Sequence, residues 1–299
     1  MLSFASQDFL VLITTPFYLI LIIFEILLGN ALHRPWYSVK DSLNNLYLML
    51  LNSGLDILIR GGYFVVLATC WHYRIAEIKH PFIYWPALVL GIDFVFYWLH
   101  RLEHSVRLFW AVHVTHHSSS HFNLTVGFRS SVFQPLYRFV FFIPLAFLGF
   151  KAIDIIILFS ASQIWGILVH TEMVNKMGWL EKILVTPSHH RVHHACNPRY
   201  LDKNMGMFLI IWDKIFGTFQ AELSEKDYQP IRYGLTTEKR LAFPFSVVLH
   251  EWKDLMSDLR QKLPAKLKLN YLFGPPGWSH DGSSLTSEQL RQKEQFGES

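Results

Sequence analysis

Long apolar stretches alternate with short polar breaks along the first 170 residues of the chain. The first stretch carries one acid, Glu25, and a Pro16 that permits a kink, and it is nearly long enough to cross a bilayer. The last two stretches are short for full spans. The pattern predicts an all-α integral membrane helical bundle with about four to five transmembrane or re-entrant helices. The stretches cover residues 9–29, 43–73, 81–100, 132–150 and 153–170.

The polar content rises after about residue 221, and three regions are predicted. Residues 1–81 form an N-terminal transmembrane region, residues 82–221 form the domain that carries the histidine-rich motifs, and residues 222–299 form a cytosolic C-terminal region. The last region ends in SHDGSSLTSEQLRQKEQFGES, whose polar composition predicts a disordered tail.

Composition and charge narrow the class of protein. Hydrophobic residues make up 51% of the chain and charged residues only 17%, which is unusual for a soluble protein. The net charge of +4 comes from bases interleaved with acids, so no nucleic-acid partner is predicted. By the positive-inside rule, the bases after the first and third stretches place the histidines in the cytoplasm. These bases are Arg34, Lys40, Arg101, Arg107 and Arg129.

Eight of the sixteen histidines stand in three spaced clusters, and a ninth lies between the second and third. The first cluster is HxxxH and the other two are HxxHH, spacings that bring imidazoles to one face of a helix. Any one of them alone is better explained as a surface or core histidine. Together they exceed one coordination sphere and predict two metal ions with positions left open for oxygen. The predicted ligands are His100, His104, His113, His116, His117, His170, His190, His193 and His194.

Four residues near the clusters are candidates for further roles in the site, each with an ordinary alternative. Asp93 shares a helical stripe with His100 and either holds the N–H of a ligating histidine or pairs with a basic residue. Asn123 either orients a ligand or caps a loop. Glu172 either accepts a bond from a box histidine or caps a helix end. These three are the catalytic candidates, and Arg129 either binds a cofactor or lipid phosphate or extends to the bilayer surface.

The segments HRLEH, HVTHH and HRVHH resemble the three histidine boxes of the fatty acid hydroxylase and sterol desaturase superfamily. HTEMVNKMGWLEKILVTPSHHRVHH and GPPGW are similar to its alkylglycerol monooxygenase branch, and the resemblance covers roughly residues 43–235. It implies a membrane-bound di-iron domain with two Fe ions that uses O2 to hydroxylate a lipid C–H bond. The implied substrate is the ether carbon of O-alkylglycerols, with sterol or fatty acyl hydroxylation or desaturation as alternatives.

The electron source lies outside the chain, because no GxGxxG turn, CxxC ferredoxin pattern or haem-attachment motif occurs in the sequence. The resemblance implies tetrahydrobiopterin, whereas other branches use an external electron-transfer partner. Both electron donors remain possible for this chain, because Ser105, Ser120 and His121 stand where the branch usually carries acids. A different class, a divalent-metal transporter, would distribute its histidines across the depth of the membrane. The boxes here are predicted on one side.

Overall fold

The structure, a computed structural model, describes residues 4–237 and 245–297 of the chain. Within these residues there are eleven α-helices and two isolated bridges but no strand, so the all-α prediction is confirmed. The helices are α1 (Phe4–Ala31), α2 (Val39–His72), α3 (Pro81–Ser105), α4 (Arg107–His117), α5 (Pro135–Phe147), α6 (Ala152–Leu168), α7 (Pro187–His194), α8 (Ile211–Phe216), α9 (Phe245–Arg260), α10 (Ala265–Phe273) and α11 (Ser287–Phe296).

Three helices are long and apolar enough to cross a membrane: α1 from Leu12 to Ala31, α2 and α3. Many of their outward side chains are apolar, such as Leu58 and Phe82, which are 82% and 84% exposed. Apolar surface of this extent is stable against lipid but not against water. The chain is therefore a membrane protein, and the two shorter apolar helices α5 and α6 pack within the same bundle.

The helices α5 and α6 form a hairpin that brings the chain back toward the histidine boxes. At the far end of the bundle, the amide of Ile75 donates to the carbonyl of Phe147 at 2.8 Å, so α5 ends beside the connection between α2 and α3. The hairpin packs on α2 and α3 around Leu67, Leu88 and Phe142. Because α6 then runs in the opposite direction to α5, it delivers His170 to the end of α3 that carries the first box.

The first two boxes face each other because the chain turns sharply between α3 and α4. Val106 separates the two helices with an extended backbone, at φ −122° and ψ 117°. The second helix is then held from its other side, since Arg107 pairs with Glu251 at 2.9 Å and Asp258 at 2.7 Å on α9. These contacts set the angle at which α4 returns along α3.

The C-terminal tail differs from its prediction, because Ser287–Phe296 form a helix. Thr286 and Gln289 make a capping box at its start, with the amide of Thr286 donating to Gln289 at 2.8 Å. The guanidinium of Arg291 donates to the carbonyl of Leu201 at 2.8 Å and attaches the helix to the region after the third box. Polar composition alone could not reveal these contacts, and residues 298 and 299 of the tail lie outside the described residues.

Candidate metal centre

All nine histidines expected from their spacing lie together at one end of the bundle, in two groups. Within each group, one nitrogen from every ring lies within 4.8 Å of the corresponding nitrogens of the others. The five-histidine group contains His100, His104, His113, His117 and His193. The four-histidine group contains His116, His170, His190 and His194. The two groups are adjacent, since the rings of His117 and His194 stack at 4.4 Å.

Each HxxHH box supplies histidines to both groups. On α4, His113 and His117 join the five-histidine group while His116 points to the other. On α7, His190 and His194 join the four-histidine group while His193 crosses over. Side chains four residues apart on an α-helix point in more similar directions than side chains three residues apart. The two histidines that are four apart therefore reach one site, and the remaining histidine reaches the neighbouring site.

Backbone carbonyls select the tautomer of several imidazoles. The Nδ1 of His100 donates to Met205 O at 2.8 Å, and that of His193 donates to Lys203 O at 2.9 Å. In the other group, the Nδ1 of His116 donates to Arg129 O at 2.8 Å, and that of His170 donates to Gly166 O at 2.7 Å. A carbonyl can only accept, so Nδ1 carries the proton and Nε2 of each neutral ring presents a lone pair.

The ligating nitrogens face one another at distances that suit a shared cation. The Nε2 atoms of His116 and His170 lie 3.4 Å apart, and neither carries a proton to form a hydrogen bond. In the other group, the Nε2 atoms of His100 and His113 lie 3.1 Å apart. Two nitrogens at right angles about a metal with bonds of about 2.1 Å lie about 3.0 Å apart. Both groups therefore fit metal ions bound through Nε2.

Burial keeps the rings in the form that binds metals. Removal from water lowers the pKa of His116 to about 4, and it lowers the pKa of His113, His170 and His190 well below its ordinary value. The buried Nε2 of His193 has no hydrogen-bond partner among the described residues. A neutral, desolvated nitrogen of this kind is stabilised by a bound cation, because leaving it unpaired costs about 1–3 kcal/mol.

Two carboxylates that were not singled out in the sequence lie against the five-histidine group. Oε2 of the fully buried Glu103, inside the first box, is 3.3 Å from Nδ1 of His113. The Nδ1 of His104 donates to Asp202 at 3.2 Å. Carboxylates in this position orient a ligating imidazole and raise its basicity. The position of Glu103 within HRLEH was the one signal that could have identified it.

The four-histidine group is tied instead to the N-terminal span through Glu25. This buried carboxylate accepts hydrogen bonds from the amide of Leu124 at 2.9 Å, from the hydroxyl of Thr171 at 2.5 Å and from Tyr37. Thr171 directly follows the ligand candidate His170. Glu25 therefore holds the loop that presents this histidine, a role that its place in an apolar stretch did not suggest.

Asp93 does not have the role expected from the sequence. Its carboxylate accepts from the amides of Phe208 at 3.0 Å and Leu209 at 3.1 Å and from the indole of Trp212 at 2.9 Å, and none of its described partners is a histidine. Its shared stripe with His100 was misleading because the carboxylate leans toward a segment more than a hundred residues away. Asp93 is connected to the centre indirectly, because it binds the segment just after Met205, whose carbonyl accepts from His100.

The alternatives for Asn123 and Arg129 are also decided by their contacts. Asn123 caps its loop, since its carbonyl oxygen accepts from the amide of Thr125 at 3.0 Å. Arg129 is fully buried and donates to Thr115 O at 2.8 Å and Asn45 Oδ1 at 2.8 Å, so it neither reaches the bilayer surface nor has a head free for a cofactor. Both expected roles of Arg129 were wrong because its partners on α2 lie far away in sequence.

Glu172 lies beside the four-histidine group without contacting a box histidine. Tyr233 and Trp36 lie beside its carboxyl group, and burial raises the pKa of this group. These three residues help to line a cavity of about 160 Å³. The ring of Phe122 separates the cavity from the metal centre, since it stacks on Tyr233 at 5.0 Å and on His170 at 5.5 Å.

Comparison with known proteins agrees with this geometry. Residues 85–218 match the family model described as Fatty acid hydroxylase. This range contains all nine clustered histidines and ends just after α8. No solved structure matches the chain.

Curated relatives extend the similarity over most of the chain. It is 36% identical to the alkylglycerol monooxygenases of Xenopus tropicalis and Homo sapiens over 88% of its own length, and it spans 58% and 59% of theirs. It is 31% identical to a Delta(7)-sterol 5(6)-desaturase of Gibberella zeae over 50% of its length and 46% of the relative's. The chain thus spans a little over half the length of the monooxygenases that it matches.

Proposed function

We propose that the protein is a membrane-bound di-iron monooxygenase that hydroxylates a lipid C–H bond with dioxygen, because residues 85–218 match the fatty acid hydroxylase family model. The observation that carries the proposal is the pair of histidine groups whose unprotonated Nε2 atoms converge. Two iron ions, when bound, would supply the activation of dioxygen, with one oxygen atom entering the lipid and the other leaving as water after uptake of two electrons and two protons.

The chain's own residues hold and protect this centre. The nine imidazoles are the proposed ligands, and the carbonyls of Met205, Lys203 and Arg129 keep three of the rings in the ligating tautomer. Glu103 and Asp202 orient two more rings and raise their basicity. The burial of the rings excludes bulk water, which would otherwise compete for open metal positions.

The substrate class follows from the position of the centre and from the relatives. The histidines lie at the end of the candidate span α3, within reach of a lipid that stays in the bilayer. A site away from the membrane would require the lipid to leave the bilayer, which costs about 0.8 kcal/mol for each methylene group exposed to water. We take the ether carbon of O-alkylglycerols as the first substrate, since two alkylglycerol monooxygenases match over 88% of the chain, and a sterol or fatty acyl chain as the second.

The metal centre is proposed to face the cytoplasm. Arg34 and Lys40 follow α1, and Arg101 and Arg107 lie at the end of α3 and the start of α4, so these bases flank the membrane on the side of the histidines. Basic flanking residues favour the cytoplasmic side. A metal transporter is less well supported, because its ligands would be distributed across the membrane whereas these nine gather at one end.

The experiment uses the iron-loaded protein in lipid nanodiscs with an alkylglycerol, a sterol or a fatty acyl lipid. Tetrahydrobiopterin and a reductase with its electron-transfer protein are supplied in separate arms, because the donor is itself part of the proposal. We expect an oxygen-dependent gain of one oxygen atom in the alkylglycerol, read by mass spectrometry with labelled dioxygen. His190→Ala is the inactive control. Two bound iron ions without turnover of any of these lipids with either donor would reject the proposal.

A further inference from the structure

Two short segments beyond the histidine boxes lie side by side at the histidine end of the bundle. One is the 3₁₀ helix Gly178–Lys182 with the residues that follow it, and the other is α8. The amide of Ile210 donates to the carbonyl of Ile183 at 2.9 Å, and Leu184 forms a bridge with Leu209. The ammonium of Lys214 donates to the carbonyl of Lys182 at 2.8 Å. The segments therefore form one surface.

This surface turns its apolar side chains outward. Trp179 is 68% exposed, Ile215 is 64% exposed and Ile183 is 46% exposed, and we call these three residues the interfacial patch. Neither acid of the two segments is fully exposed. Asp213 is buried and accepts from the amides of Met205 and Gly206, and Glu181 is half-buried and accepts from the amide of Met177 at 3.1 Å. A surface that buries an aspartate and exposes a tryptophan and two isoleucines has the polarity of a membrane-contacting element.

The patch is continuous with the lipid-facing side of α3. On α8, the ring of Trp212 packs on Phe94 at 5.1 Å, and the ring of Phe216 packs on Trp98 at 5.0 Å. Both partners lie in the half of α3 nearest the histidines, where a candidate span approaches the surface of the bilayer. Tryptophan and other aromatic residues collect at that depth, because their rings suit the boundary between acyl chains and headgroups.

Two lysines stand beside the interfacial patch. Lys182 and Lys214 are both exposed, and Lys214 is held in place by its bond to the neighbouring segment. Cations next to apolar side chains at this depth attract anionic lipid headgroups. We infer that the 3₁₀ helix and α8 dip into the headgroup layer on the histidine side of the membrane, where Lys182 and Lys214 bind anionic phospholipids. A protein partner is less suitable, because the patch extends directly into a face already covered by lipid.

The first test measures contact with lipid and does not depend on the proposed reaction. A fluorophore is attached at Trp179→Cys or Ile215→Cys in a Cys70→Ala and Cys196→Ala background, and the protein is placed in phosphatidylcholine nanodiscs containing brominated lipid. The control is the same label at Phe296→Cys, an exposed apolar position on α11. We expect about twofold or greater quenching at positions 179 and 215 relative to position 296. Equal quenching at all three positions, or cross-linking of Ile215→Cys to a second copy, would overturn the inference.

The second test addresses the lysines. Adding phosphatidylserine to the nanodiscs should increase quenching at position 215, and the combined Lys182→Gln and Lys214→Gln variant should lose this increase. The matched control is Lys262→Gln with Lys266→Gln, which removes two exposed lysines, one from the connection after α9 and one from the first turn of α10. An increase that persists in the Lys182 and Lys214 variant would overturn the recognition of anionic headgroups.

Discussion

The two histidine groups are alike in ligand chemistry but differ in what supports them. In the five-histidine group, carboxylates approach two of the rings, Glu103 at His113 and Asp202 at His104. In the four-histidine group, the described Nδ1 contacts of His116 and His170 are to backbone carbonyls. A carboxylate adds negative charge and raises ligand basicity, whereas a carbonyl mainly selects the tautomer.

The groups also differ in how they connect to the membrane helices. The five-histidine group takes His100 and His104 directly from α3, so two of its five ligands are part of a long helix. The four-histidine group takes His170 from a loop after α6, and this loop is held by Glu25 of α1. Ligands on rigid helices are positioned more firmly than ligands on loops. We therefore expect the five-histidine group to bind its ion more tightly, and the following changes test that comparison.

The largest effect is expected from His170→Ala, which removes the ring whose Nε2 contacts those of His116, His190 and His194 at 2.9–3.4 Å. Metal content should fall from about two ions to about one per chain, and lipid turnover should be lost. Elemental analysis of the purified protein measures this. His121→Ala, outside both groups, should keep both ions. A stoichiometry that stays unchanged in His170→Ala would contradict the division into two sites.

Glu103→Gln should weaken the five-histidine group by about 10–100-fold in metal affinity, because the amide keeps the shape of the side chain but removes its charge. Competition with a chelator measures the affinity of each ion. The four-histidine group serves as the internal control and should keep its affinity. Equal weakening of both ions would mean that Glu103 stabilises the bundle as a whole instead of one group.

Glu25→Gln should act on the other group through the loop that contains Thr171. The new amide nitrogen would face groups that donate to the carboxylate, at a cost of about 1–3 kcal/mol in the free energy of unfolding. We expect the four-histidine ion to be released first when the variant is titrated with chelator. Tyr37→Phe removes a single donor and should have a smaller effect. If the ion of the five-histidine group were released first, Glu25 would not be the residue that supports the four-histidine group.

The smallest effect is expected from Asp202→Asn. The Asp202 side chain is 37% exposed, so water already screens its charge, and the asparagine can still accept from His104. The loss of affinity at the five-histidine group should stay below about tenfold. Chelator competition measures the metal affinity of this variant and of Glu103→Gln under the same conditions. A larger loss of affinity in Asp202→Asn would mean that Asp202 supports the five-histidine group more strongly than Glu103 does.

The sequence by itself determined the fold class and the set of histidines that gather. Long apolar stretches can satisfy their backbone in lipid only as helices or closed barrels, and their lengths favoured helices. The spacings of three and four residues are local properties of a helix, so the boxes at 113–117 and 190–194 could be recognised without knowing where either helix lies.

Only the tertiary structure decided how the histidines divide and which acids support them. His193 and His190 are three residues apart but belong to different groups, because the direction of α7 relative to α4 sets which ring meets which partner. Glu25 meets Leu124 and Thr171, and Asp93 meets Phe208, across separations of 99, 146 and 115 residues. Such pairings have no periodicity along the chain, because they arise when the packed bundle brings a buried charge to the nearest unpaired donors.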